Sequence, residues 1–281
     1  MQKLGRTQKP RSADVCYSFP RMEYTNIRVE SRPPLAVVSI TRPKVLNALD
    51  AATLGELSLA FEELAAAPEI RVILLKGDGG RAFAAGADIR ELAALTKEDG
   101  QPFALRGQGV LRRIETLGKP VIACIQGFAL GGGCELAMAC TLRLAGDDAR
   151  LGQPEVKLGI LAGYGGSARL PQLVGRGTAL KLLLTGAIVD AQEALRIGLV
   201  DEVTPAAGLM ARAEALALEI AANAPLAVAE TLRAVDEGLD LPLDLALLRE
   251  SLRFGHLCGT ADKNEGTQAF LEKRAPSWKG E

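Results

Sequence analysis

From Met22 onward the chain alternates short apolar runs with stretches of helical periodicity. Leu35-Ala36-Val37-Val38-Ser39-Ile40 reads as a strand, and Arg71-Val72-Ile73-Leu74-Leu75-Lys76 as another with both faces buried. Between them, Ala52 to Ala66 repeats Leu54, Leu57, Leu59, Phe61 and Leu64 at roughly helical spacing. Phe103 to Leu117 predicts a second helix, with Leu105, Val110, Leu111 and Ile114 on its apolar side. A strand over 120–126 follows, then a helix opened by glycines, then extended runs at 143–145 and 149–151. After about residue 175 strand signals nearly vanish apart from 199–203. Residues 210–223, 226–237, 243–257 and 262–273 read as helices, with Pro225 and Pro242 as starts. Short strands separated by helices predict an α/β fold, though without the regular beat of a doubly wound sheet. The mostly helical C-terminal third is apolar for its length. It needs a surface to pack on, in its own core or on a neighbouring subunit.

Composition narrows the functional classes. With 281 residues, 48% hydrophobic and 24% charged, the chain is long enough to bury a sizeable core. A net charge of −1 gives no global attraction to nucleic acid or anionic membrane, so neither is expected as a partner. No apolar run approaches the roughly 20 residues that cross a bilayer. Five cysteines, an odd number without paired spacing, predict free thiols and a reducing compartment. Residues 1–21 carry Lys3, Arg6, Lys9, Arg11 and Arg21 against Asp14, with no apolar centre, which does not match a secretory signal. A disordered extension is the expectation there, and a cleaved transit peptide the alternative. The expected location is accordingly cytoplasmic, or the mitochondrial matrix in the second case.

The candidate chemistry lies between Lys119 and Arg169. Gly131-Gly132-Gly133 opens a helix, so bare backbone N–H groups can approach a ligand, and Glu135 follows within the same turn. The glycines match neither a dinucleotide fingerprint nor a P-loop, so an oxyanion suits them better than a phosphate. A second loop of small residues, Arg81 to Arg90, can supply further donors. Gly152-Gln153-Pro154-Glu155 adds a second carboxylate, and Gly163-Tyr164-Gly165-Gly166 a second glycine cluster. Carboxylates in apolar, glycine-lined clefts have raised pKa values suited to proton transfer near neutral pH. On the residues alone each loop reads equally as a turn packed tight for steric reasons. A lone glutamate at a helix start is more often a capping or surface group. Competing chemistries fare worse. A serine or cysteine nucleophile needs His256, the only histidine, and Gly165-Gly166-Ser167-Ala168-Arg169 misses the nucleophile-elbow pattern. No His/Cys/Asp cluster has metal-ligand spacing, so no metal is expected.

Five stretches in this order resemble the enoyl-CoA hydratase/isomerase (crotonase) family, from about Met22 to the C-terminus. They are Arg42-Pro43-Lys44-Val45-Leu46-Asn47-Ala48-Leu49, Phe83-Ala84-Ala85-Gly86-Ala87-Asp88, Ala129-Leu130-Gly131-Gly132-Gly133-Cys134-Glu135, Gly152-Gln153-Pro154-Glu155 and Ala269-Phe270-Leu271-Glu272-Lys273-Arg274. The resemblance implies a spiral of ββα turns carrying the active site over 22–205, and a helical region over 206–281 that builds homotrimers, often paired into hexamers. It implies that the N–H groups of Ala87 and Gly132 hold a thioester oxygen, and that Glu135 and Glu155 are the catalytic pair. Lys44, Ala85, Ala87, Asp88, Ile89, Arg90, Gly163, Phe270 and Lys273 match substrate- and CoA-binding positions. Coenzyme A is then part of the substrate and no separate cofactor is needed. The implied activity is hydration of short- to medium-chain trans-2-enoyl-CoA to 3-hydroxyacyl-CoA, in fatty-acid or related acyl-CoA breakdown. Alternatives are an isomerase or another CoA-thioester activity on the same site, and a non-catalytic, RNA-binding member, against which the near-neutral charge speaks. Ala162, where the family usually has proline, is expected to loosen the loop beside the acyl pocket. Ser167-Ala168 and Thr141 are further departures that remove no proton donor.

Overall fold

A computed structural model describes residues 23–281. The expectations for residues 1–21 and for Cys16 lie outside the described residues. The chain begins with an antiparallel hairpin of β1 (Ile27–Arg32) and β2 (Leu35–Ile40), paired from Ile27 opposite Ile40 to Arg32 opposite Leu35. Helix α1 (Ala51–Ala66) follows, started by Asp50, whose side chain accepts the Thr53 N–H.

Three spiral turns come next. The first holds β3 (Val72–Gly77), β4 (Ala82–Ala84), α2 (Ile89–Ala94) and α3 (Lys97–Glu115). The second holds β5 (Val121–Ile125), β6 (Phe128–Leu130) and α4 (Gly132–Met138). The third holds β7 (Leu142–Gly146), β8 (Arg150–Gly152), α5 (Gly166–Val174) and α6 (Arg176–Thr185). β9 (Ile188–Asp190), α7 (Ala191–Arg196) and β10 (Glu202–Thr204) close the spiral. The first strand of each turn joins a six-stranded sheet ordered β1-β2-β3-β5-β7-β10, and the second a four-stranded sheet ordered β4-β6-β8-β9. Strands of successive turns stack in parallel, as at Ile73 opposite Val121 and Ala82 opposite Phe128. The expected spiral of ββα turns is therefore present. Each turn bends sharply between its two strands. At Gly127 (φ +62°) a Cβ would stand 2.1 Å from the Arg81 carbonyl oxygen, so only glycine fits that corner.

The continuous apolar runs are explained by burial on both faces of the larger sheet. Ala36, Val38, Ile40, Ile73, Leu75, Ala123 and Ile125 face the main core with Leu54, Leu57 and Phe61 of α1. The alternating set Leu35, Val37, Val72, Leu74 and Ile122 faces α8 (Leu209–Ala221), which meets it with Leu209, Ala213, Ala217 and Ala221. Truncating a buried side chain such as Phe61 should cost about 3–5 kcal/mol.

Three details depart from the sequence pattern. α3 begins six residues before Phe103, because Asp99 accepts both the N–H and the hydroxyl of Thr96 and caps an earlier turn. Its buried face is Phe103, Gly107, Val110, Leu111 and Ile114, while Leu105 is 56% exposed. β9, unsignalled in the sequence, is a three-residue strand paired antiparallel to β8.

The last helices are α9 (Pro225–Gly238), α10 (Leu243–Cys258) and α11 (Ala261–Glu272). The tail folds back on α11, where buried Asp262 accepts the N–H groups of Lys279 and Gly280 at 2.7 and 2.9 Å. No single helix among the described residues is long and apolar enough to cross a membrane.

Candidate active site

Two loops from successive spiral turns meet edge to edge. After β4, the Leu49 N–H donates to the Gly86 carbonyl (2.8 Å) and the Asp88 N–H to the Leu49 carbonyl (3.0 Å). Those bonds pin the loop on either side of Ala87. The anchoring segment is itself held by buried Asn47 (φ 57°), whose Nδ2 donates to the Asp78 and Ala82 carbonyls at 2.9 and 2.8 Å. After β6, the Gly131 N–H donates to the Gly152 carbonyl (2.9 Å), and α4 begins at Gly132. As the first residue of a helix, Gly132 has no carbonyl in its own helix to receive its N–H. Neither the Ala87 nor the Gly132 N–H finds an acceptor among the described residues.

Close packing explains the glycines. A Cβ on Gly133 would lie 1.9 Å from the Ala84 carbonyl oxygen, and one on Gly132 would lie 3.3 Å from the Ala87 nitrogen. The steric reading of these turns is thus correct, and it brings two unused amides side by side.

Glu135, in the first turn of α4, is 1% exposed, and its Oε1 accepts the N–H groups of Tyr164 (2.7 Å) and Gly166 (2.6 Å). Burial pushes its pKa up to about 7; the nearby Glu155 charge adds to this, while the two amides and Arg169 act against it. Glu155 heads a 3-10 turn (Glu155–Leu158), and burial raises its carboxyl too. With the Gln153 amide assigned so that its NH2 faces the carboxylate, Gln153 donates to Glu155 at 2.8 and 3.2 Å. Both carboxylates are lodged against bare backbone: Glu155 Oε1 is 2.9 Å from where a Cβ on Gly131 would be.

The loop that holds Glu135 is braced from behind. Arg169 of α5 donates to the Tyr164 carbonyl at 2.9 Å and to both oxygens of Glu115 at 2.9 and 3.1 Å. Burial works against the Glu115 charge, yet the Arg169 and Arg112 guanidiniums hold its carboxyl below the usual range. Gly165 (φ +110°) leaves Arg169 the room it needs, since a Cβ there would be 2.2 Å from Nη1.

These groups share one cavity of about 430 Å³. Ala87, Gly132, Glu135 and Glu155 lie on its wall, and Leu92, Leu95, Phe103, Leu161 and Tyr164 make the remainder apolar. Of the other expected binding residues, Ala85, Ile89 and Gly163 line it as well. Asp88 does not; it caps α2 by accepting the Arg90 N–H (3.0 Å) and stands 3.5 Å from Arg42 Nη2. Lys44 and Arg90 are exposed outside the cavity, as are Phe270 (84% exposed) and Lys273 on and just after α11. Ala162 is buried, with its Cβ 2.9 Å from where a Gly166 Cβ would stand. Glu115 and Arg169 were given no role from the sequence, where each looks like an ordinary polar residue; Asn47 and Gln153 lie in two of the quoted motifs but were assigned no role of their own. His256 is exposed on α10 away from the cavity, and burial pushes the Cys134 thiol up to about 12. Neither histidine-assisted nucleophile is assembled. Among the described residues no group of three or more His, Cys, Asp or Glu side chains is placed to hold a metal ion.

Residues 30–281 match the family described as enoyl-CoA hydratase/isomerase. The chain belongs to that family. It is 46% identical over 253 residues to the short-chain-enoyl-CoA hydratase of Clostridium acetobutylicum, covering 90% of this chain and 97% of that one. It is 44% identical to the crotonyl-CoA hydratase of Syntrophomonas wolfei, with the same shares covered. The crystal structure of an enoyl-CoA hydratase from Bacillus anthracis superposes with a TM-score of 0.89 at 39% identity, covering 92% of this chain and all of that one. The family resemblance and the fold inferred from the motifs both hold.

Proposed function

We propose that the protein is an enoyl-CoA hydratase, adding water across the trans-2 double bond of short- to medium-chain enoyl-CoA to give 3-hydroxyacyl-CoA. The observation that carries this reading is the presence of two carboxylates and two unpartnered amides on one apolar cavity. The Ala87 and Gly132 N–H groups hold the thioester oxygen, which gains charge as the enolate forms. One such donor is worth about 3–4 kcal/mol in the transition state. Glu135 takes a proton from the attacking water, whose oxygen bonds to C3, and Glu155 delivers its proton to C2. A double-bond isomerase needs only one proton shuttle, so the second glutamate on the cavity wall favours hydration. The names of the two relatives support the same reading.

Lys44, Asp88, Arg90, Phe270 and Lys273, all outside the acyl cavity, are assigned to the CoA end of the substrate, and Ala85, Ile89 and Gly163 to its acyl and pantetheine portions. The reaction requires no cofactor beyond the CoA the substrate carries. The chain assembles as a trimer or a pair of trimers through its C-terminal helices, a reading supported by exposed Leu243 (72%), Leu252 (68%) and Phe254 (70%) on α10. The four described cysteines are free thiols, which supports a reducing compartment.

The test is hydration of crotonyl-CoA, followed by loss of enone absorbance. We expect robust turnover, falling by about 10²–10⁴-fold in Glu135→Ala and in Glu155→Ala. Full activity in both variants would refute the mechanism.

A further inference from the structure

Along the inner face of α3, Gly100, Phe103 and Ala104 line the cavity, and the next residue at that helical spacing, Gly107, does not. The Tyr164 ring covers it. A Cβ on Gly107 would lie 2.1, 2.3 and 2.6 Å from the Tyr164 Cδ1, Cε1 and Cγ atoms. The opposite edge of the same ring is 3.0 and 3.1 Å, at Cδ2 and Cε2, from where a Cβ on Gly132 would stand. The ring therefore spans from α3 to the amide assigned to the thioester oxygen, beside the place where the reacting carbons must lie. Phe103 holds it there, ring centroids 5.5 Å apart and planes tilted by 32°.

The cavity is open in another direction. Leu158, Ile160 and Leu161 line it and are 57%, 44% and 69% exposed, so a straight chain can run out along them toward solvent. Tyr164 consequently restricts the width of the acyl group near C3 rather than its length.

We propose that Tyr164 is a specificity-determining residue whose ring fills the slot that an aromatic substituent on C3 needs, so that the protein accepts unbranched enoyl groups and rejects aryl-substituted ones. This rests on the hydratase reading of the same site. The ring acts here by volume. The Tyr164 hydroxyl is buried without a hydrogen-bond partner among the described residues, so its removal breaks no bond. The backbone N–H that holds Glu135 is present whatever the side chain.

The experiment compares kcat/KM for cinnamoyl-CoA and crotonyl-CoA in the wild type, Tyr164→Ala and Tyr164→Phe. Pocket volume changes of this size alter selectivity by about tenfold or more, so the cinnamoyl-to-crotonyl ratio should rise by at least that in Tyr164→Ala. It should stay near the wild-type value in Tyr164→Phe. An unchanged ratio in folded Tyr164→Ala overturns the proposal, and so does a rise of equal size in Tyr164→Phe. Should Tyr164→Ala fail to fold, Tyr164→Leu removes the ring while keeping an apolar filler and carries the same expectation. If the wild type does not hydrate crotonyl-CoA, the hydratase reading fails separately. The width limit is then read from calorimetric affinities of the saturated thioesters butanoyl-CoA and 3-phenylpropanoyl-CoA, whose ratio should shift in the same way.

Discussion

Every residue of α4 is buried, whereas neither α9 nor α10 buries one completely. Both regions are rich in apolar side chains, so composition does not separate them. Around α4 the apolar atoms are enclosed by the chain's own loops, and glycines let backbone meet backbone. Along α10 the leucines reach outward with no such cover, and soluble proteins rarely leave patches of that kind bare. The contrast teaches that the junction around α4 is enclosed by the described chain itself, while the C-terminal helices leave apolar side chains uncovered among the described residues, as the proposed assembly would require.

The sharpest way to break this comparison uses one substitution in two places. At Gly133 an added methyl meets backbone at 1.9 Å, whereas at Gly255 of α10 nothing lies within 4 Å. Gly133→Ala should lower stability by more than about 4 kcal/mol and abolish activity, because the loops can no longer meet. Gly255→Ala should be neutral or gain up to about 1 kcal/mol through helix propensity. Thermal melts of the two variants decide it. A loss at Gly255 would sharpen the picture differently, by showing that another copy packs against that turn.

A second test separates folding from assembly. Leu252→Glu combined with Phe254→Glu should reduce the mass seen by light scattering to that of one chain while leaving the circular dichroism spectrum intact. Unfolding instead would mean that α10 serves the chain's own core; a single-chain mass in the wild type would remove the proposed assembly.

The smallest effect expected is in pH dependence, and it probes only the junction. Glu135 must be ionised to act as a base, so kcat/KM should fall as pH drops below about 7. Arg169→Met removes a nearby cation and the brace on the Tyr164 carbonyl, both of which favour the Glu135 charge, so this limb should move to higher pH. A raised carboxyl pKa also links to stability. Its contribution is fully present below the unfolded value near 4.5 and is lost as pH rises through about 7. Wild type should therefore lose about 2.5 kcal/mol between pH 5 and pH 8 relative to Glu135→Gln, at about 1.4 kcal/mol per pKa unit. Parallel stability curves for the two would mean that the Glu135 carboxyl is not raised on folding.

Much of the fold was legible because burial on both faces of a sheet leaves an unmistakable apolar run, as at 72–75 and 121–125. The start of α3 and the strand β9 were not. The first depends on one Asp99–Thr96 contact, and the second on a partner strand about forty residues away in sequence. Within the candidate site, Glu135 and Glu155 were marked because a carboxylate beside glycine stands out locally, whereas Ala87 and Gly132 were picked out by the family resemblance. Arg169 and Glu115 did not stand out, since their importance lies in the atoms they face.

The sequence alone determined which backbone would be bare and which carboxylates would sit beside it, because both are properties of adjacent residues. That the two bare loops meet was implied only by the family resemblance; the tertiary structure shows how they meet and that Glu135 is enclosed. It also decided that a tyrosine ring, rather than empty space, stands next to the Gly132 amide. Those facts join residues that are tens of positions apart, and the parallel stacking of successive spiral turns sets their distances. A linear pattern carries the parts, and the stacking of β4 on β6 on β8 makes them one site.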